Sequence, residues 1–278
     1  MKLLCVATES SSYYEILVES CKKYNYELIT LGWGQKWQGL TWKHQLYSEY
    51  LNTLSNDNEI VILSDGYDVI CLRDSKDTKD IFLSFKKNIV FGNQTSLATK
   101  IGFDTYSENI MCSGSIIGYV RQLKKLENMF LKSGLIEIYN RGDQFLLNEL
   151  KKRKEYRPFF IENTTIDENF KLFYVTDLST MFHPMYILNN YIGLSFDNKK
   201  GLYKVDTTNE YPPILHAAGY VNINNIVKKL GYSEDKIKNG NNGFKINQMI
   251  NMFKNLFKNN IYYKIVPIIL FFVYNIFR

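Results

Sequence analysis

The chain has 278 residues, of which 45% are hydrophobic, and it contains 21 Tyr and 18 Phe, so a disordered or fibrous protein is excluded. The net charge of +6 is concentrated near the carboxyl end, because residues 223–278 carry nine basic and two acidic residues, whereas residues 1–222 carry 25 basic and 26 acidic residues. A nearly neutral body lacks the basic face that nucleic-acid binding needs, so we expect no nucleic-acid partner.

Hydrophobic patterns predict the following elements in chain order: a strand at 2–8, a helix at 12–24, strands at 26–32 and 59–65 around a helix at 42–54, strands at 88–94 and 114–120, and helices at 123–134 and 143–154. The first strand, helix and strand form a βαβ unit, which implies parallel strands. The run 59–65 shows no polar alternation, so we expect it to be buried on both faces. Residues 158–216 are predicted to form short strands and loops, which gives one α/β domain over residues 1–222.

The cysteines and the first residues bear on the cellular compartment. Cys5, Cys21, Cys71 and Cys112 are scattered without zinc-site spacing, so we expect reduced thiols in the core. The opening "MKLLCVATESSS" is too short in its apolar run for a secretory signal and is better explained as a first strand. We therefore expect no signal peptide and a cytoplasmic location.

The stretch "ILSDGYDVI" (62–70) places two aspartates at the end of a buried strand. Asp65 closes the apolar run, Gly66 permits a turn, and Asp68 follows, so the two carboxylates can converge. Converging carboxylates repel unless a cation or a proton lies between them, and Mg²⁺ or Mn²⁺ suits such oxygen ligands. A metal here could hold a diphosphate, as a nucleotide-sugar transferase requires. The alternative is a solvated Asp-Gly turn.

Three further positions have two interpretations each. His216 ends the apolar run of "PPILHAAGY" (212–220) and is either a third metal ligand or a structural histidine. The small residues of "CSGSIIGY" (112–119) either let backbone approach a sugar or pack tightly. Asp143 opens a predicted helix and is either a base facing an acceptor hydroxyl or an N-cap.

Taken in order over residues 1–222, these segments resemble the N-terminal glycosyltransferase domain of procollagen lysyl hydroxylases and its viral relatives. "LSDGYDVI" is similar to the family's Asp-x-x-Asp metal motif, and "CSGSIIGYV" to its Asn-Ser-Gly-Gly-Phe-Ile-Gly-Tyr segment. "DQFLLNEL" resembles its Asp-Gln helix, and "PPILHAAG" its Pro-x-x-x-His-Gly-Asn-Gly ending. The opening "CVATESSSYYEILVESCKK" and the helix start "TWKHQLY" also occur where the family has similar segments.

The resemblance implies a GT-A-like, nucleotide-sugar-binding (Rossmann-like) mixed sheet with flanking helices, which transfers a hexose from a UDP-sugar with Mn²⁺ or Mg²⁺. The roles that it implies are metal ligation by Asp65, Asp68 and His216, donor binding by Val6, Thr8, Lys43, Tyr67, Gly114 and Gly219, and catalysis at the acceptor by Asp143. The chain departs from the family at Arg141 and Gly142, where the family has acids, and at Ala217 and Ala218, where it has Gly-Asn.

The carboxyl-terminal region is predicted as a linker (223–243) followed by a helical tail (244–278). Residues 244–260 place apolar side chains on one helical face with lysines mostly elsewhere, and 265–277 is almost wholly apolar. An apolar run this short does not reach the roughly 20 residues that span a bilayer, so we expect a membrane-surface or short tail anchor. The alternative is a helix packed on the domain or on a partner.

The sequence therefore predicts a metal-dependent glycosyltransferase with a UDP-hexose donor and a hydroxyl acceptor on protein (hydroxylysine type) or glycan, associated with a membrane. One alternative is a catalytically silent, membrane-associated binding module with the same GT-A fold. A metal-dependent phosphohydrolase is disfavoured, because Asp68 follows Asp65 by three residues and no Asp-x-Asp-x-Thr pattern is present.

Overall fold

The computed structural model of the chain describes residues 1–94, 110–134, 142–176, 192–218 and 221–238. The strands in these ranges are β1 (Lys2–Val6), β2 (Glu27–Leu31), β3 (Ile60–Asp65), β4 (Val69–Cys71), β5 (Ile89–Gln94), β6 (Ile110–Tyr119), β7 (Thr164–Asp167), β8 (Phe173–Val175), β9 (Leu194–Asp197), β10 (Leu202–Val205) and β11 (Ile214–His216). The helices are α1 (Tyr14–Lys23), α2 (Leu40–Thr53), α3 (Ser75–Ser84), α4 (Val120–Lys132), α5 (Asp143–Lys152), α6 (Arg157–Asn163) and α7 (Asn224–Lys229).

The central feature is a six-stranded mixed sheet in the order β2-β1-β3-β6-β5-β7. β1 runs parallel to β2 and to β3, as the βαβ pattern predicts, whereas β6 runs antiparallel to β3 and to β5. The predicted mixed α/β sheet is therefore confirmed. A smaller sheet has the order β4-β11-β8, and β9 and β10 form an antiparallel pair.

Both faces of the central sheet are covered by apolar side chains. In β1, Leu3 and Cys5 belong to one core cluster, which also contains Leu17 of α1. Leu4 and Val6 belong to a second cluster, to which α2, α4 and α5 contribute. Because both faces are buried, the strand sequences are continuous apolar runs without polar alternation.

The strand register brings several strand ends to one edge of the sheet. Val6, the last residue of β1, lies opposite both Leu31 and Asp65, so β1, β2 and β3 end side by side. β11 pairs with β4, which follows β3 directly, and this pairing sets His216 opposite Val69. Ligand sites of open α/β sheets lie at such carboxyl edges.

Some elements differ from the predicted ones. β6 begins at Ile110 rather than at residue 114, and helices α3 and α6 were not predicted. In α3 the buried side chains are Ser75, Thr78 and Phe82, so the helix buries mostly polar residues and shows no apolar stripe. In α6 a proline occupies the first turn of a seven-residue helix, which is too short for a periodic signal.

The range predicted as a linker contains a packed segment. Ile226 and Val227 of α7 are buried in a third apolar cluster, and the backbone of Lys238 exchanges two hydrogen bonds with Ser12. Residues 239–243 and the predicted tail 244–278 lie outside the described residues. Within the described ranges, no helix is long and apolar enough to cross a membrane.

Candidate active site

Asp65, Asp68 and His216 converge at the carboxyl edge of the sheet. Asp65 ends β3, the turn 66–68 returns the chain into β4, and His216 ends the strand that pairs with β4. The three side chains offer ligand atoms that all lie within 4.8 Å of one another. Nε2 of His216 is 3.4 Å from Oδ2 of Asp65 and 3.4 Å from Oδ1 of Asp68.

These side chains fit a divalent cation. Oδ1 of Asp68 and Nε2 of His216 are buried, and neither atom makes a hydrogen bond among the described residues. A buried polar atom without a partner costs folding free energy, so a bound ligand at this position would recover that cost. Two carboxylates and one imidazole form a donor set that suits Mn²⁺. We conclude that the three predicted ligands form a candidate metal site.

The protonation of His216 couples metal binding to pH. Burial alone would lower the pKa of His216, but Asp68 and, to a smaller extent, Asp65 hold it well above its usual value. In the absence of a metal, the two aspartates therefore favour the protonated imidazole. A metal binds the neutral imidazole, so a cation that binds here displaces a proton.

Gly114 of β6 makes room for two of these ligands. A Cβ at this position would lie 2.2 Å from Oδ2 of Asp65 and 2.6 Å from Cε1 of His216. No real side chain tolerates such distances, so glycine allows the carboxylate and the imidazole to share this space. The structure thus places Gly114 against the candidate metal ligands. Its position beside the donor sugar, which the resemblance implies, stays a prediction.

Ser115 orients His216 and was not singled out from the sequence. Its Oγ lies 2.9 Å from Nδ1 of His216, and Sγ of Cys112 lies 3.4 Å from the same nitrogen. A hydrogen bond at Nδ1 fixes the ring so that Nε2 faces the two aspartates. The run of small residues in "CSGSIIGY" was a signal of close packing, but it did not identify the packed partner.

Replacing Ser115 by alanine is expected to weaken Mn²⁺ binding by about 10- to 100-fold, because the imidazole loses the group that orients it. Isothermal titration calorimetry with MnCl₂ measures this affinity. Ser20→Ala is the matched control, since Ser20 is also a buried serine with two hydrogen bonds, to Leu17 and Cys71. Equal Mn²⁺ affinities for the two variants would show that Ser115 does not orient the ligand.

Lys43 connects the candidate metal site to helix α5. Its Nζ lies 2.6 Å from Oδ1 of Asp65 and 2.9 Å from Oδ2 of Asp143, and the side chain is buried. Burial alone would lower the pKa of Lys43, but Asp143 and Asp65 raise it well above its usual value. The ammonium group is therefore charged, and two of its three N–H donors are used by these carboxylates.

Asp143 is the first residue of α5, and its Oδ1 accepts a hydrogen bond of 2.9 Å from the backbone N–H of Gln144. Burial would raise the pKa of Asp143, but Lys43 and His44 hold it below its usual value. The side chain is therefore an ion-paired carboxylate. Arg141, where the chain departs from the family's acidic residues, lies outside the described residues.

A cavity of about 570 Å³ opens at this edge of the sheet. Its lining includes Val6, Thr8, Lys43, Tyr67 and Asp143, so five of the predicted donor and acceptor residues meet there. The backbone N–H of Thr8 donates a 2.8 Å hydrogen bond to the hydroxyl of Tyr67, which ties the end of β1 to the Asp65–Asp68 turn. The predicted donor residue Gly219 lies outside the described residues.

Trp37 and Leu40 also line the cavity and were not predicted as site residues. Trp37 is 46% exposed and packs edge-on against Trp42, with ring centroids 5.7 Å apart. Its position depends on the loop between β2 and α2, whose shape the hydrophobic pattern does not specify.

His44 and Glu127 form a buried ion pair next to this site. Nδ1 of His44 lies 2.7 Å from Oε2 of Glu127, and the two residues are 3% and 1% exposed. Burial lowers the pKa of His44, but Glu127 and Asp143 together raise it from 6.5 to about 9. The imidazole is therefore a cation at neutral pH.

The His44–Glu127 pair is expected to stabilise the fold in a pH-dependent way. The raised pKa of His44 means that its stabilisation is complete below pH 6.5 and is lost as the pH rises to about 9. Urea unfolding should show that the difference in unfolding free energy between the wild type and His44→Gln/Glu127→Gln falls by about 3 kcal/mol over this range. A difference that does not change with pH would contradict the assignment of a charged His44.

Comparison with known proteins identifies one family. Residues 1–243 match the family model described as PLOD GT domain. A curated relative, the procollagen-lysine,2-oxoglutarate 5-dioxygenase of Drosophila melanogaster, is 30% identical over 141 residues, which cover 44% of this chain and 19% of the relative. The match thus spans about a fifth of the length of that relative.

Two of the similar solved structures are glycosyltransferases. A glycosyltransferase involved in glycosylation of the major capsid of PBCV-1 is 10% identical, with 78% of this chain and 92% of that chain covered and a TM-score of 0.44. The galactosyltransferase LgtC, in complex with donor and acceptor sugar analogues, is 12% identical, with 84% and 98% covered and a TM-score of 0.46. Both TM-scores lie below 0.5, so neither structure bears on the activity of this chain.

Proposed function

The chain belongs to the PLOD GT domain family, and on this premise we propose that it is a metal-dependent glycosyltransferase that moves a hexose from a UDP-sugar to a hydroxyl acceptor. The observation that carries the proposal is the convergence of Asp65, Asp68 and His216 beside the cavity, with buried ligand atoms that have no hydrogen-bond partner among the described residues. Family membership favours glycosyl transfer over a silent binding module.

In this proposal Asp65, Asp68 and His216 hold Mn²⁺ or Mg²⁺. When bound, the ion would supply positive charge against the diphosphate of the departing UDP. Lys43 supports the same task, because its ammonium lines the cavity and has one N–H donor beyond those bound by Asp65 and Asp143. We assign this donor to an oxygen of the UDP-sugar.

The nucleotide is proposed to lie at the end of β1, against Val6, Thr8 and Tyr67. All three residues line the cavity, and its volume of about 570 Å³ falls within the range of small-molecule sites. The hydrogen bond from Thr8 to Tyr67 supports this assignment, since it holds an aromatic ring beside the turn that carries Asp68. The proposed contact of Gly219 with the donor rests on the resemblance alone.

Asp143 is proposed to act at the acceptor side of the cavity. Its ion pair with Lys43 and its lowered pKa make it a weak general base, so its first contribution would be to hold Lys43 and to accept a hydrogen bond from the acceptor hydroxyl. The acceptor would be a hydroxyl of protein, of hydroxylysine type, or of a glycan. The resemblance supports the first of these acceptors.

The predicted tail 244–278 is proposed to bind a membrane surface on the cytoplasmic side. The support is its sequence, in which a cationic amphipathic segment precedes an apolar one. Co-sedimentation with anionic lipid vesicles measures this directly. The full chain should sediment with the vesicles and a chain ending at residue 243 should not; equal sedimentation would refute the anchor.

The proposed activity is tested by incubating the full chain with a panel of UDP-sugars and measuring UDP release with MnCl₂ or with EDTA. We expect release from one donor in Mn²⁺ and none in EDTA. UDP release counts both transfer and donor hydrolysis, so it needs no knowledge of the acceptor. Release from no donor by a folded protein that nevertheless binds UDP with Mn²⁺ would favour the binding module instead.

A further inference from the structure

A series of contacts between charged side chains leads from Lys43, at the cavity, through Asp143 to His44. Nε2 of His44 lies 3.7 Å from Oδ2 of Asp143, and this nitrogen is buried and makes no hydrogen bond among the described residues. The imidazole also stacks on Phe130, with ring centroids 3.8 Å apart and planes inclined by 26°. The ring therefore has a fixed orientation with its second nitrogen directed at the Asp143 carboxylate.

Opposite charges alternate along this group of side chains. Glu127 of α4 contacts His44 of α2, which faces Asp143 of α5. Asp143 contacts Lys43, and Lys43 contacts Asp65 at the end of β3. In a buried series of this kind, the loss of one charge leaves its neighbours without compensation.

We propose that His44, oriented by Glu127, is a positioning residue that holds Asp143 so that the Lys43 ammonium stays between Asp143 and Asp65 at the donor cavity. This inference rests on the proposed function, since the task of Lys43 is to contact the UDP-sugar. His44 itself does not line the cavity and acts through Asp143.

The contacts at both ring nitrogens of His44 distinguish a positioning role from an ion pair that only packs α2 against α4. An ion pair that serves packing alone needs Glu127 and Nδ1, whereas Nε2 faces the oxygen of Asp143 that also binds Lys43. Helices α2 and α4 also meet at the carboxyl end of α2, where Nζ of Lys124 lies 2.9 Å from the carbonyl oxygen of Leu54. The raised pKa of His44 agrees with a cation beside Asp143.

A double-mutant cycle between His44→Gln and Asp143→Asn tests the proposal, with the dissociation constant of UDP in MnCl₂ as the first readout and donor turnover as the second. His44→Gln is expected to weaken UDP binding about tenfold in the wild-type background and less than about twofold in the Asp143→Asn background. Lys124→Met is the matched control, because it removes a contact of α4 with the carboxyl end of α2 while leaving His44, Glu127 and Asp143 in place, and it should leave UDP binding unchanged.

If His44→Gln alone does not fold, the double variant His44→Gln/Glu127→Gln replaces it, since the two amides can form a hydrogen bond in place of the ion pair. We expect the same tenfold loss of UDP affinity in this variant. Equal losses in both backgrounds would overturn the positioning role. UDP binding with the expected cycle but no transfer from any donor would overturn the transferase alone. A wild-type protein that binds no UDP with Mn²⁺ would overturn both.

Discussion

Replacing Asp65 and Asp68 together by alanine is expected to abolish Mn²⁺-dependent UDP release, with a loss of about 10³-fold or more. The double variant removes both carboxylates of the candidate metal site and leaves His216 as a single ligand. Turnover of the best donor in MnCl₂, followed by UDP detection, measures the effect.

Two further variants separate metal binding from other effects. Asp80→Ala removes an exposed carboxylate of α3 and should retain full turnover. Asp65 also binds Lys43, so Asp68→Asn is the more selective test of ligation, because Oδ1 of Asp68 is buried and makes no hydrogen bond among the described residues. Retained turnover in Asp68→Asn would mean that the aspartates form a turn without a catalytic ion.

Gly114→Ala is expected to lower turnover at least about 100-fold although it adds a single methyl group. The methyl would lie 2.2 Å from Oδ2 of Asp65 and 2.6 Å from Cε1 of His216, so at least one ligand must move by a large fraction of an ångström. Overpacking at this buried position should also lower the free energy of unfolding by about 1–3 kcal/mol. Turnover and urea unfolding measure the two effects.

Gly142→Ala is the matched control for this substitution. Gly142 has no neighbouring atom within 4 Å of an added Cβ, and its φ of −60° suits alanine. We expect a small change in stability and turnover close to the wild type. If Gly114→Ala keeps both Mn²⁺ affinity and turnover, the close approach of Gly114 to the ligands is not required.

The strands of the sheet could be predicted where the chain has long apolar runs. β1 and β3 were identified because both of their faces are buried, which gives continuous hydrophobic sequences. The antiparallel position of β6 could not be read from a local pattern, since strand direction depends on pairing between distant segments. The packing of Ile226 and Val227, within the range predicted as a linker, could not be read locally either, because the other members of their apolar cluster, such as Ile16 and Leu215, include residues distant in the chain.

The candidate metal residues were found because their positions at strand ends are visible in the sequence. Asp65 and His216 each close an apolar run, and the carboxyl ends of neighbouring strands meet at one edge. Their partners Gly114 and Ser115 were recognised as a small-residue segment, but their contacts with the ligands arise from the pairing of β6 with β3.

The pair His44 and Glu127 was missed, although the sequence held a signal. Glu127 falls on the apolar stripe of α4, between Leu123 and Phe130, where a charged residue needs a buried partner. Nothing in the sequence identifies that partner, because α2 and α4 are separated along the chain by β3, β4, α3, β5 and β6. Tertiary packing therefore decides which buried charges compensate one another.

A calorimetric titration of the full chain with UDP, in MnCl₂ and again in EDTA, tests the central claim most directly. The claim is that Asp65, Asp68 and His216 hold a divalent cation that binds the diphosphate of the donor. We predict saturable UDP binding in MnCl₂ that disappears in EDTA and in Asp68→Asn. UDP binding of equal affinity with and without the metal, or in the variant, would contradict it.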